Sequence, residues 1–204
     1  MPKALIIYHK NCLSGDGFGA AFAAWFALGE TADYYPADYG DEVPDVTGRE
    51  VYILDLSFPA YTLAAMSRLA ASLTLLDHHL TAQKKLSDFK PVCCGKIHFD
   101  LSQCGAVLAW KHFHPGKPVP RLFRWLQARD LWTWDEPMAK EFLTWLDTQE
   151  KSFERWARIM AMSDAELDAA ITLGHQLALQ YAGFCASIAA GAVPVELAGE
   201  RGLW

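Results

Sequence analysis

Three apolar runs in the first half of the chain stop abruptly at titratable side chains. Residues 4–8 (Ala-Leu-Ile-Ile-Tyr) end at His9, residues 51–54 (Val-Tyr-Ile-Leu) end at Asp55, and residues 72–76 (Ser-Leu-Thr-Leu-Leu) end at Asp77-His78-His79. None alternates polar with apolar, so each reads as a short strand buried on both faces. Between them the spacing changes to that of helices. A loop with Gly15, Gly17 and Gly19 leads into an Ala-rich helix over residues 20–28 carrying Phe22, Trp25 and Phe26, with Asp16 where an N-cap would stand. Residues 32–35 read as a second short strand and 36–48 as an acidic loop. Residues 61–71 place Leu63, Met66, Leu69 and Ala70 on one helical face. Strand and helix in alternation predict βαβ units and a parallel, doubly wound sheet.

The pattern then weakens and becomes helical. Residues 81–86 predict a short helix, 90–99 a weaker strand, and 105–113 a helix entered through Asp100-Leu101-Ser102-Gln103 and closed by His114-Pro115-Gly116. Helices are predicted over 121–134, 139–148, 153–162 and 165–190, the last behind a Ser163…Glu166 capping box. Residues 193–197 resemble a new strand. The expectation is an α/β fold, a doubly wound, mainly parallel sheet flanked by helices and followed by a helical C-terminal extension. Residues 1–135 would form the α/β domain and 136–192 the helical extension completing it.

Composition narrows the classes. The chain has 204 residues, 52% hydrophobic and 21% charged, enough for one good core. A net charge of -6 argues against tight, non-specific binding of long nucleic acid, which needs an excess of Lys and Arg. The cysteines (Cys12, Cys93, Cys94, Cys104, Cys185) are odd in number and contain no C-x-x-C spacing, so free thiols in a reducing compartment are expected. No apolar stretch approaches roughly 18 residues, and a soluble cytoplasmic protein is expected.

In an open parallel sheet, ligands bind outside the carboxyl ends of the strands. His9, Asp55 and Asp77-His78-His79 would share that rim, joined by Asp16 from the glycine-rich loop. Clustered carboxylates repel one another unless a cation lies between them. Carboxylate and imidazole donors without thiolate suit Mn²⁺, Mg²⁺, Fe²⁺ or Co²⁺ better than structural zinc. Two such ions about 3.5–4 Å apart could clamp a phosphoryl group and activate a water, with Asp55, alone at the end of the central run, as the natural bridge. No nucleophile elbow, P-loop or G-x-G-x-x-G is present to support acyl transfer, nucleoside-triphosphate cradling or dinucleotide binding.

His9 with Asp16-Gly17, Ile53-Leu54-Asp55, Asp77-His78-His79 and Arg129-Asp130-Leu131-Trp132 occur in the order of four motifs that resemble those of the DHH phosphoesterase superfamily, closest to its oligoribonuclease-like and RecJ-like branch. The resemblance spans residues 3–134. It implies that His9 ligates one metal ion, that Asp55 bridges two, and that Asp16, His78 and Asp130 hold the second. It further implies that His79 meets the scissile phosphate or leaving group, while Asp77 orients the histidine pair. Without the resemblance, Asp130 beside Arg129 would read as a surface ion pair. The first motif departs from the family pattern. Ser14 stands at the usual position of a second Asp, leaving Asn11, Ser14 or water as weaker ligands. The Gly-Gly-Gly-His-like motif of the family's DHHA1 domain does not occur, and residues 193–204 are a candidate start of such a domain, in a chain either truncated or naturally short.

The expected activity is divalent-metal-dependent hydrolysis of phosphodiesters, by attack of activated water on short oligonucleotides or small nucleotides. Two ions of Mn²⁺, with Mg²⁺ or Co²⁺ as substitutes, would serve it. The rivals are an inorganic pyrophosphatase and a degenerate nucleotide- or metal-binding module without turnover. Ser102 and Gly105, before the helix at 105–113, could present N–H groups to a phosphate or simply cap and pack that helix. Trp132 and Trp134 could stack a base, although helical aromatics are more often core. Lys84, Lys85 and Lys90 read as a solvated face that a substrate phosphate could also meet. His98, His112, His114 and His175 read as structural or surface residues. The expected partners are the nucleotide substrate, no membrane, no stable complex with long nucleic acid, and a homodimer as an open option.

Overall fold

The computed structural model describes residues 2–10, 14–197 and 200–203. Asn11 and Cys12, named above, lie outside the described residues. Five strands form one sheet: β1 (Ala4–His9), β2 (Ala32–Ala37), β3 (Glu50–Leu54), β4 (Ser72–Asp77) and β5 (Cys94–Phe99). Their order is β2-β1-β3-β4-β5 and every pairing is parallel. The doubly wound α/β expectation therefore holds. The winding reverses between β1 and β3, so the switch point, where such sheets bind ligands, falls between His9 and Asp55.

Register brings the strand ends level. His9 stands opposite Ala37, Tyr8 opposite Leu54, Leu54 opposite Leu76, and Asp77 opposite Phe99. Alternate side chains serve the two faces. Leu5, Ile7, Val51, Ile53, Leu73 and Leu75 pack with Leu63 and Met66 of α2 (Ala60–Leu69) and with Leu86, which caps α3 (Leu80–Lys85). Ile6, Leu54 and Leu76 point to the other face, where Tyr52 meets His112 and Phe113 of α4 (Gly105–Phe113). Both faces are covered, which is why these strands are continuous apolar runs.

Helix α1 (Asp16–Leu28) begins four residues before the expected start, because Gly17 and Gly19, read as loop, lie inside it, while Gly15 stands at its N-cap in left-handed backbone. A Cβ on Gly17 would stand 2.1 Å from the His9 carbonyl oxygen, and one on Gly19 would stand 2.7 Å from Leu126 Cδ1. Glycine weakens a helix by roughly 1 kcal/mol relative to alanine, but here its lack of a side chain lets the first turn of α1 press onto the end of β1. Helix α5 (Arg121–Asp130) stops at Asp130, shorter than the expected 121–134. Trp132 and Trp134 beyond it adopt left-handed backbone, φ 59° and 50°, which ends the helical path.

The chain divides into two compact units, residues 1–139 with 151–161, and residues 140–150 with 162–204. Residues 136–192, expected as a helical extension completing the α/β domain, fall partly in each unit. Helix α7 (Phe153–Met160) returns to the α/β unit because Phe153 stacks on Phe18 and Trp25, and Trp156 packs edge-on against Phe18 and Phe22. In the second unit, α6 (Ala139–Leu146) and α8 (Asp164–Ala190) approach closely at Gly174, where a Cβ would lie 1.8 Å from the Glu141 carbonyl oxygen. Ser163 and Glu166 form the expected capping box, and β6 (Pro194–Leu197) pairs antiparallel with β7 (Glu200–Leu203).

Leu75 is fully buried whereas Tyr61 is 78% exposed. Leu75→Ala should destabilise the fold by about 2–5 kcal/mol, and Tyr61→Ala by no more than about 0.5 kcal/mol, read as urea midpoints at unchanged slope.

Candidate metal centre

Five segments deliver polar side chains to one rim. The imidazole of His78, just past β4, projects its Nε2 among three carboxylates: 3.1 Å from Asp55 Oδ1, 3.4 Å from Asp130 Oδ2 and 3.6 Å from Asp16 Oδ2. Asp16 and Asp55 are buried, and Asp130 is nearly so. Asp55 extends β3 by one ladder bond to the Leu76 carbonyl and sits in left-handed backbone at φ 57°. Such a conformation costs on the order of 1–3 kcal/mol and collects at functional sites. His9, at the end of β1, turns Nδ1 toward Asp55 Oδ2 at 3.7 Å, too far for a hydrogen bond. Both of these buried atoms lack a hydrogen-bond partner among the described residues.

Asp77 has a different task. One oxygen accepts the N–H of His78 at 2.7 Å, the N–H of His79 at 3.2 Å and His79 Nδ1–H at 2.6 Å, and the other accepts the Ser57 hydroxyl. With its acceptor capacity filled, Asp77 fixes the His78-His79 turn and leaves His79 Nε2 facing outward. The His79 side chain is 37% exposed against 10% for His78, so His79 is the imidazole that an incoming ligand can reach.

Asp16 does not cap its own helix. Its two oxygens accept the N–H groups of Gly105 (2.6 Å) and Ala106 (2.8 Å), so it caps α4 from across the fold, and the Cys104 thiol also bonds to it. This corrects the expectation for Gly105. Its N–H serves Asp16 and is not offered to a phosphate, and a Cβ there would lie 2.5 Å from Asp55 Cβ. Ser102 lies apart as well, exposed, with its N–H and hydroxyl both on Asp100. Of the two readings of this segment, close packing is the one realised. Ser14 at the usual Asp position bonds through its hydroxyl to Asp130, and its carbonyl accepts from Arg129 Nε at 3.0 Å. Arg129 therefore ties the glycine loop to α5 instead of pairing with Asp130. Trp132 is 75% exposed and meets Trp134 edge-to-face. Lys84 and Lys85 end α3 exposed, His98 and His175 are exposed, and His112 packs on Tyr52. His114 is buried, stacked on Trp110 and bonded to the Ala23 carbonyl.

Sequence inspection missed Asp38. It follows directly on β2, and its Oδ1 lies 3.3 Å from His9 Nε2. The sign was present, since the run at 32–37 also ends at an acid, but it was absorbed into the acidic loop.

The carboxylates perturb one another. Burial, with Asp55 and Asp130 alongside, pushes the Asp16 carboxyl well above its ordinary range. Burial likewise raises Asp130, against the hydrogen bond from Ser14 and the charge of His78. Burial works against charge on His78 too, but its bond to Asp55 and the charges of Asp16, Asp55 and Asp130 outweigh it and carry its pKa from 6.5 to about 9. The imidazolium is thus the positive charge available to these carboxylates. Ligand atoms of Asp16, His78 and Asp130 lie within 4.8 Å of one another, as do those of Asp55, Asp77, His78 and His79. Hard oxygen and imidazole donors of this kind fit a divalent ion such as Mn²⁺ or Mg²⁺, and Asp55 adjoins both groups.

No family model matches the chain, and no solved structure matches it. Among curated proteins it is similar to the uncharacterized protein R106 of Acanthamoeba polyphaga mimivirus, 29% identical over 199 residues. The match covers 84% of this chain and 43% of the viral protein, so the chain spans less than half the length of that relative. Among the described residues no helix is long and apolar enough to cross a membrane.

A histidine whose pKa is raised on folding stabilises the fold fully below its unfolded value and loses that contribution as pH rises through the folded value. The metal-free protein should therefore lose thermal stability between pH 6.5 and about 9, the interval set by His78. Melting curves in EDTA should show this slope in the wild type and a flatter one in His78→Gln.

Proposed function

We propose that this chain is a divalent-metal-dependent phosphoesterase of the DHH type, hydrolysing phosphodiester bonds in short oligonucleotides or small nucleotides. The observation that carries the proposal is the meeting of Asp16, Asp55 and Asp130 around His78 Nε2, at 3.6, 3.1 and 3.4 Å. A site so rich in buried negative charge would repel an anionic substrate unless cations came between them. Asp16, Asp55, His78 and Asp130 would hold one ion, and His9 with Asp55 a second. When bound, Mn²⁺, or Mg²⁺ or Co²⁺ in its place, would supply charge neutralisation for the phosphoryl group and lower the pKa of the attacking water.

The chain's own residues divide the remaining work. Asp55, between His9 and His78, would ligate both ions. His78 would ligate as the neutral imidazole, so metal binding would be coupled to proton release. His79, fixed by Asp77 and open at Nε2, is positioned to hydrogen-bond a phosphoryl oxygen or to protonate the leaving oxygen. A cavity of about 290 Å³ is lined by Tyr39, Phe58, Pro59, Thr81, Lys85 and Ser57, whose hydroxyl donates to Asp77. It offers an apolar wall and a cation to the organic part of a substrate. Free thiols at Cys93, Cys94, Cys104 and Cys185 fit a cytoplasmic setting.

A second reading, metal or nucleotide binding without turnover, is favoured by Ser14, which spends its hydroxyl on Asp130 and brings no carboxylate. Hydrolysis of bis-p-nitrophenyl phosphate and of short RNA with Mn²⁺ separates the two. The wild type should turn over both, with Asp55→Ala slower by at least about 100-fold, on the order of what a directly acting group supplies. Equal rates for the two proteins would refute the enzyme, and saturable nucleotide binding without product would favour the second reading.

A further inference from the structure

His9 receives a carboxylate neighbour from the adjacent strand β2. Parallel pairing sets His9 opposite Ala37, so the next residue, Asp38, arrives beside the imidazole. Its Oδ1 lies 3.3 Å from His9 Nε2 and also accepts the Tyr39 N–H at 2.8 Å. The Tyr39 ring stands edge-on to His9 at 5.4 Å, and the Asp38 N–H donates to Asp41, which pairs with Lys10 at 2.6 Å. Both side chains are thereby fixed. A carboxylate on one ring nitrogen keeps the proton there and leaves a lone pair on the other. That other nitrogen, Nδ1, is the buried atom without a partner, 3.7 Å from the equally unpartnered Asp55 Oδ2. With His9 in its neutral form the two atoms are facing acceptors, a costly arrangement in a buried place. Donors each 2.0–2.2 Å from a shared ion lie roughly 3–3.5 Å apart, close to the separation seen.

We propose that Asp38 is a positioning residue that holds His9 in the Nε2–H tautomer, so that His9 Nδ1 and Asp55 Oδ2 form a second, weaker divalent-cation site beside the Asp16–His78–Asp130 site. The inference rests on the metal reading given under Proposed function and adds an asymmetry to it. One ion is held by four side chains, whereas the other has two protein donors and retains most of its waters, as Mg²⁺ and Mn²⁺ readily do. Asp38 acts through His9 and touches neither ion.

Mn²⁺ titration of the full chain, followed by calorimetry and by the EPR signal of free Mn²⁺, tests this without reference to turnover. The wild type should show one tight and one weaker class of sites. Asp38→Ala should weaken the weaker class by about 10–100-fold and leave the tight class and the metal-free melting temperature unchanged. Asp38→Asn keeps an acceptor for Nε2–H and should fall between the two. ¹⁵N NMR of His9 should report the Nε2–H tautomer in the metal-free wild type and lose that preference in Asp38→Ala. Unchanged weak binding and an unchanged tautomer in Asp38→Ala would overturn the role of Asp38 while leaving the metal centre standing, provided Asp55→Asn weakens both classes. Absence of Mn²⁺ binding in the wild type would overturn the metal reading and this inference together.

Discussion

Three carboxylates withdrawn from water around one imidazole are the constraint on which this structure turns. Asp16, Asp55 and Asp130 come from different parts of the chain, and their approach is unfavourable unless positive charge lies among them. In the metal-free protein His78 supplies it, with its pKa carried to about 9. Much of the surrounding architecture keeps these groups in place. Register levels the ends of β1, β3 and β4, Gly17 lets α1 close onto His9, and Gly105 lets α4 close onto Asp55. Arg129 and Ser14 tie the glycine loop to the end of α5, which sets Asp130 in the group.

Asp77 and Asp16 are equally buried and both are satisfied by hydrogen bonds, Asp77 by two backbone N–H groups, a hydroxyl and an imidazole, and Asp16 by the N–H groups of Gly105 and Ala106. Asp55 Oδ2 and His9 Nδ1 face each other with no donor between them among the described residues. A cation between them would remove that mismatch. Asp16 does two things at once, capping α4 and facing His78, so α4 and the carboxylate cluster are mechanically linked.

Much of this was legible in the sequence because parallel strands buried on both faces write themselves as apolar runs. Where such a run stops at His9, Asp55 or Asp77, the stop marks the rim. Other features depend on contacts distant in sequence. Gly17 and Gly19 look like loop until the His9 carbonyl and Leu126 press on them. Asp16 looks like the cap of its own helix, although its partners lie about ninety residues away. Asp38 was hidden because β2 is half exposed and Pro36 ends the readable strand at Tyr35, two residues before β2 itself ends. α7 was read into the extension because its helical period does not reveal that Phe153 and Trp156 pack against α1.

The most direct measurement is an anomalous difference map at the manganese edge from crystals of the full chain soaked in Mn²⁺. The account predicts a strong peak coordinated by Asp16, Asp55, His78 and Asp130, with a weaker one between His9 and Asp55. No peak at the carboxylates around His78, with those side chains well ordered and still paired to the imidazolium, would contradict it.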